Sequence, residues 1–327
     1  MSILKGSLVL IIESSMGWLK QNAMLYASSL AYFTIFSIFP LLVLTTAIPS
    51  YFFSTATVQQ AILAAAEMVG GAALANMVSV VLPSTDEFFS SFSGPTIALI
   101  MLGFILFGAA LVFRQLQVGI NVMWGLEPEP IKPKKEDLWR NGLSAAWKFF
   151  VAVAAALAIG FLLLVTMLVS AIGSILLQTR LLTTMPAQLI VSLLSFVAVP
   201  AAYTLIFACI FRYLPQGRVR WKDVWPGSIL TSVLFWLAGY GISVYLAFSP
   251  LDSVYGATSA LFAFLIWAFT SAAIVFFGAK FIQVYAAQYG VPIAPQEGMI
   301  LKPLPLTVPT LGIKWLEQPP IASNVRK

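Results

Sequence analysis

Apolar residues in this chain come in long windows, not in the strict alternation of a half-buried strand. Six windows stand out, at 23–50, 95–113, 149–177, 186–210, 226–248 and 257–279. A helix crosses roughly 30 Å of hydrocarbon with about 20 such residues at about 1.5 Å each. Barrel strands would be about 10 residues long and would alternate, so a barrel is excluded. The pattern predicts an all-α fold, a polytopic transmembrane helical bundle of six spans. One membrane domain covers 23–290, preceded by a cytoplasmic N-terminal segment at 1–22 and followed by a Pro-rich cytoplasmic tail at 291–327.

Composition agrees with that reading. Of the 327 residues 60% are apolar and 9% charged, against about 25% charged in a soluble domain, so water could not be faced on all sides. The net charge of +6 allows either nucleic acid or anionic lipid as a partner, and placement decides between them. With six spans, 17 of the 18 Lys and Arg residues fall on one side and Arg180 alone on the other. Basic residues stay in the cytoplasm, which puts both termini there, in a bacterial-type plasma (inner) membrane. Topology thus accounts for the basic residues, and no nucleic-acid partner is expected. Lys5, the short apolar run Leu8 to Ile12 and Glu13 do not make a cleaved signal peptide.

The segment from Ala61 to Leu82 is apolar enough to imitate a seventh span, but counting it would place Lys132 to Lys148 outside, against the positive-inside bias. It is read as an extracytoplasmic helical segment between spans 1 and 2, either lying in the outer leaflet or packed as a cap on the bundle. Pro40 and Pro200 fall inside the first and fourth spans and are candidate helix kinks. The end from Val291 onward carries Pro every few residues and reads as a mobile tail.

Few polar groups remain inside the spans. Arg114, Gln117 and Asn121 recur at spacings of three and four and share one helix face. That face could line a vestibule that meets a solute or lipid headgroup, or Arg114 could snorkel to the interface while two amides join helices. Lys280, with Gln283 one turn on, is either an interfacial anchor or a counter-charge for a phosphate or carboxylate; Arg212 has the same two readings. No paired carboxylates, nucleophile with its base, or metal cluster occurs in the spans. Histidine is absent and Cys209 is the single cysteine, so no Cys/His zinc site and no disulfide within the chain are expected. The chain is read as no enzyme, with no catalytic residues, metal or cofactor.

Several stretches then resemble a known family. The run from Leu30 to Leu41 is similar to the first-span signature of the YihY/BrkB membrane proteins, once labelled ribonuclease BN. Leu116-Gln117, Ile120-Asn121, Trp124, the Trp221-Lys222-Asp223-Val224 run with Pro226-Gly227, Tyr255-Gly256, Leu265-Ile266-Trp267 and Gly278-Ala279 follow in the family's order. The resemblance implies six spans with a cytoplasmic N-terminus and brings no catalytic set. Val118 stands where the family often has Asp, and Lys280 where it often has an acid, so an anionic ligand suits this chain better than a cation. The expected function is a transporter or exporter of a small solute or lipid-like molecule, with Arg114, Gln117, Asn121 and Lys280 as contacts and membrane lipids as partners. A homo-oligomer is compatible with it. The rival is a non-transporting envelope assembly factor or scaffold, and a membrane-bound ribonuclease is the remote third reading.

Overall fold

The structure, a computed structural model, describes residues 2–50, 54, 56–64, 66–67, 75–76, 78–79, 95–129, 200–248, 259–296 and 298–301. The window at 149–177, the first part of that at 186–210, Arg180, the loop from 130 to 147 and the chain beyond 301 lie outside these residues. Six helices carry the described fold: α1 (Ser2–Lys20), α2 (Ala23–Ser50), α3 (Pro95–Met123), α4 (Pro200–Tyr213), α5 (Trp221–Phe248) and α6 (Ser259–Tyr289). Within α5 and α6, Trp221–Tyr245 and Leu261–Tyr289 are long and apolar enough to cross a membrane. Helix α2 fills its expected window from end to end and stays helical through Pro40.

Helix α6 is the centre of the packing and touches α1, α2, α3 and α5. Helix α5 shows how the sequence is sorted. Its buried face is small and hydroxylated: Gly227, Ser228, Thr231 and Ser232. Its exposed face repeats Trp225, Ile229, Val233, Trp236 and Tyr240, with Tyr240 72% exposed. This is the reverse of a soluble helix and the arrangement expected where lipid covers the outside and small residues bring backbones together. The inward hydroxyls are satisfied by carbonyls: Ser228 donates to Val224 at 3.0 Å, Thr231 to Gly227 at 2.6 Å and Ser232 to Pro200 at 2.7 Å. An aromatic ladder links three helices, with Tyr203 and Phe207 of α4 at 5.2 and 5.5 Å from Phe235 of α5, itself 6.4 Å from Trp267 of α6.

Three boundaries depart from the windows. Helix α3 runs on from 113 to Met123, α6 from 279 to Tyr289, and α5 begins at Trp221 rather than 226. The apolar windows mark where hydrocarbon is needed, whereas a helix propagates until a residue stops it. In α3 the stop is Gly125 at φ 72°, the left-handed position that glycine accepts without strain. At the start of α5, Asp223 in the first turn complements the positive end of the helix dipole.

Both chain ends carry regular structure where it is described. The segment 1–22 contains a 19-residue helix, α1, packed along α6. It breaks from α2 at Asn22, whose φ of 54° suits an Asn, and whose carbonyl then accepts from Leu25 N at 2.9 Å to start α2. At the other end, the residues following α6 include two short strands as far as Leu301. They form β3 (Ala294–Pro295), paired antiparallel with β2 (Gly217–Arg218), and β4 (Met299–Leu301), paired antiparallel with β1 (Leu126–Pro128). Prolines are tolerated there because each ribbon has only two strands, so an edge without an N–H costs little. Of the segment after α2, Ala66 and Val78 are buried with Ala31, Phe264 and Ala268, so this part packs on the bundle as a cap.

Candidate functional site

The polar residues singled out in the sequence gather where α3 ends against α6 and the turn after α4. Among the described residues this neighbourhood is deeply buried: Trp124, Phe211, Phe276, Ile120, Met123 and Ile282 are all fully enclosed. Small residues allow it. A Cβ at Gly119 would lie 2.3 Å from the Phe276 ring, and one at Gly217 would meet Trp124 and Ile293 at 2.8 Å.

Gln117 and Asn121 reach across to the turn that follows α4. The Gln117 amide donates to the Leu214 carbonyl at 2.6 Å. Asn121 makes a two-point contact with Gln216, accepting its backbone N–H at 2.8 Å and donating to its side-chain oxygen at 3.1 Å. Gln117 and Asn121 thus face the same turn, and their amides join α3 to it. Arg114 is exposed and takes no part in those contacts.

Lys280 is 6% exposed and sits at the C-terminal end of α3. Its ammonium donates to the Met123 carbonyl at 3.3 Å and to the Gln283 side-chain oxygen. Gln283 in turn donates to the Trp124 carbonyl at 2.9 Å, while the Trp124 indole donates to the Ala279 carbonyl at 2.9 Å. A cation here meets the negative end of the α3 dipole and the Met123 carbonyl, while Gln283 covers the Trp124 carbonyl, both of them groups that a helix end leaves without partners. No carboxylate pairs with Lys280 among the described residues. An ammonium has three donors and finds two acceptors here.

On the other side of Lys280 is α1. A Cβ at Gly17 would fall 2.2 Å from the Lys280 Cε, so only glycine lets the lysine pass. Ser14 and Gln21, three before and four after Gly17 on the same helix face, bury Ser14 Oγ and Gln21 Oε1 without a hydrogen-bond partner in the described structure. Arg212 ties the end of α4 to the Val219 carbonyl. Asp223 is buried and accepts the Val291 N–H at 3.4 Å, with its carboxylate lying over Gly290.

Sequence reasoning selected Gln117, Asn121 and Lys280 and missed Ser14, Gln21 and Gln216 as their neighbours. Pro200 opens the described part of α4, and the chain before it lies outside the described residues. Trp124, Asp223, Gly227 and Gly278 were noted only as landmarks of a resemblance. Each now has a packing role: Gly227 lies against Ile282, and Gly278 against Thr231 and Phe211.

The comparisons with known proteins match the chain to one family. A membrane protein of Rhodospirillum centenum named UPF0761 membrane protein is 27% identical over 265 residues, covering 79% of this chain and 53% of the relative. UPF0761 membrane proteins of Alkalilimnicola ehrlichii, 35% identical over 124 residues, and of Coxiella burnetii, 38% identical over 94, cover 38% and 28% of this chain and 27% and 33% of their own lengths. The chain thus spans about half the length, or less, of these curated relatives. No solved structure matches it. The profile of the family described as Virulence factor BrkB extends over residues 15–298, from α1 through β3 to the edge of β4, and so takes in Gly17, Met123, Trp124, Lys280 and Gln283; the chain is a membrane protein that belongs to the BrkB family.

Proposed function

We propose that this protein is a six-span transporter or exporter of the bacterial inner membrane, with both termini cytoplasmic, that handles a small anionic solute or the anionic head of a lipid-like molecule. The observation that carries the reading is the Lys280 node. A buried cation without a carboxylate partner among the described residues, packed on Gly17 of a helix whose Ser14 hydroxyl and Gln21 oxygen also lack hydrogen-bond partners there, leaves hydrogen-bonding capacity that a polar ligand or water would complete. The topology is supported by charge placement. Arg218, Arg220 and Lys222 are exposed in the link between α4 and α5, at the end of the bundle where Gln117 and Asn121 hold that link, in keeping with a cytoplasmic face. Arg114, exposed on α3 more than two turns before Met123, is the second candidate contact. No cofactor, metal or catalytic step is part of this reading.

Native mass spectrometry of protein gently extracted from its own membrane tests it. A small anion or lipid should be retained stoichiometrically and lost in Lys280→Gln while the helical content is kept. Retention unchanged in both Lys280→Gln and Arg114→Ala, with flux also unchanged, would remove these residues as contacts.

A second reading, an envelope assembly scaffold, is favoured by the two β-ribbons, which fix the segment after α6 into a platform beside exposed Arg218, Arg220 and Lys222. Disrupting the β1–β4 ribbon should then abolish partner recruitment and leave any flux intact.

A further inference from the structure

Helix α1 is amphipathic in the opposite sense to a helix lying in water. The face it turns to α6 carries Leu10 and Trp18 among polar or small residues. Glu13 accepts from the Gln288 amide, the Trp18 indole donates to the Ala273 carbonyl at 3.1 Å, Gly17 lies under Lys280, and Ser14 is fully buried. The face it turns outward consists of Leu8, Ile11, Ile12, Met16 and Leu19, with Leu8 61% and Leu19 58% exposed. Ser15, on that same face, closes its hydroxyl onto the Ile11 carbonyl at 2.8 Å and so presents no free donor. No charged side chain interrupts the stripe between Leu8 and Leu19. At period 3.6 these positions form one continuous band, the exposed apolar patch that a soluble surface avoids.

We propose that this band is seated in the acyl chains of the leaflet at the basic end of the bundle, which makes the N-terminal helix a membrane-embedded element instead of a segment in the cytoplasm. That the leaflet is the cytoplasmic one rests on the topology proposed above; the lipid contact does not. Three features select acyl chains over another protein. The stripe continues onto exposed Met24, Leu25, Tyr32 and Phe36 of α2, so both helices share one outer surface. Exposed Lys20 borders it, where a long basic side chain reaches lipid phosphate while its stem stays in the apolar layer. Trp18 bonds α6 at Ala273, about two turns from Lys280 toward the middle of that helix, which carries the C-terminal end of α1 down to bilayer depth. In that position α1 is the wall between the acyl chains and the Lys280 node.

Single cysteines at Leu8, Ile12 and Leu19 in the full-length Cys209→Ser chain, spin-labelled in nanodiscs of phosphatidylethanolamine and phosphatidylglycerol, test the proposal. Cys209 is itself exposed and must be removed first. Collisions with oxygen, which concentrates among acyl chains, should exceed those with a water-borne nickel chelate at all three positions. A nickel-dominated ratio at Leu8, Ile12 and Leu19 would place the face in water and overturn the proposal. Protection from both reagents with spin–spin broadening would put a second copy of the chain on it and overturn it equally. A label at Ser14, on the inner face, should be reached by neither reagent; accessibility equal to that of Ile12 would mean that α1 is not seated on α6, and the proposal would fall.

Discussion

Toward α5, helix α6 presents Gly278 to Thr231 and Ile282 to Gly227, whereas toward the end of α3 it presents Lys280, Gln283 and the carbonyl of Ala279. The first contact is steric: glycines remove side chains so that two backbones approach, and the hydroxyls between them bond within their own helix. The second is directional, with three donors closing on backbone carbonyls from two helices. In hydrocarbon there is no hydrophobic drive to press helices together, so shape decides. At a helix end the backbone carbonyls lack partners, so donors decide.

The contrast is broken most severely from the steric side. Gly278→Val would place a branched side chain where Thr231 Oγ1 lies 1.8 Å from an ideal Cβ, and destabilisation of about 3 kcal/mol is expected, near the top of the overpacking range. Thermal unfolding in detergent checks it, with Gly239→Ala as the control, because nothing lies within 4 Å of that glycine's Cβ position. Lys280→Met comes next: it leaves the Met123 carbonyl and the Gln283 oxygen without a donor, a loss of about 2 kcal/mol. Adding Gln283→Leu should cost less than the sum of the two single changes, since both belong to one network; a double-mutant cycle measures this. Asn121→Ala deprives Gln216 of two bonds and should cost about 1 kcal/mol, read as faster proteolysis of the turn at 214–216. Arg114→Ala, outside either contact, should shift stability by no more than about 0.5 kcal/mol. A large loss there would sharpen the comparison differently, by showing that the polar clasp extends further up α3.

Much of the fold was legible because hydrocarbon imposes a minimum length on apolar runs. Helix α2 was read to its ends, and the cores of α3, α5 and α6 fell where expected. What the windows could not show was how far helices continue past the apolar layer, since propagation there depends on stop signals such as Gly125. The common face of Gln117 and Asn121 was visible from spacing, but not its partners, because Leu214 and Gln216 lie far along the chain. Lys280 stood out as a charge and Gln283 as its neighbour one turn on; the end of α3 as its acceptor could not be read. Ser14 and Gln21 gave no signal at all, being ordinary polar residues until packed. For α1 a signal existed and was underused: Leu8, Ile11, Ile12, Met16 and Leu19 repeat at helical spacing. The segment 294–301 was misjudged because strands of two or three residues are too short to show alternation, and proline dominates the impression.

The two ribbons set an order of events during synthesis. Leu126 is made early and must wait, because its partner Leu301 follows the last described helix; likewise Gly217 waits for Pro295. Neither ribbon can close until α6 has been translated and its end has returned to the same face as the link between α4 and α5. A chain that stops short of α6, or whose α6 inserts the wrong way round, leaves both loops open to proteases. The ribbons therefore mark a stage: this end is closed only after α6 is in place.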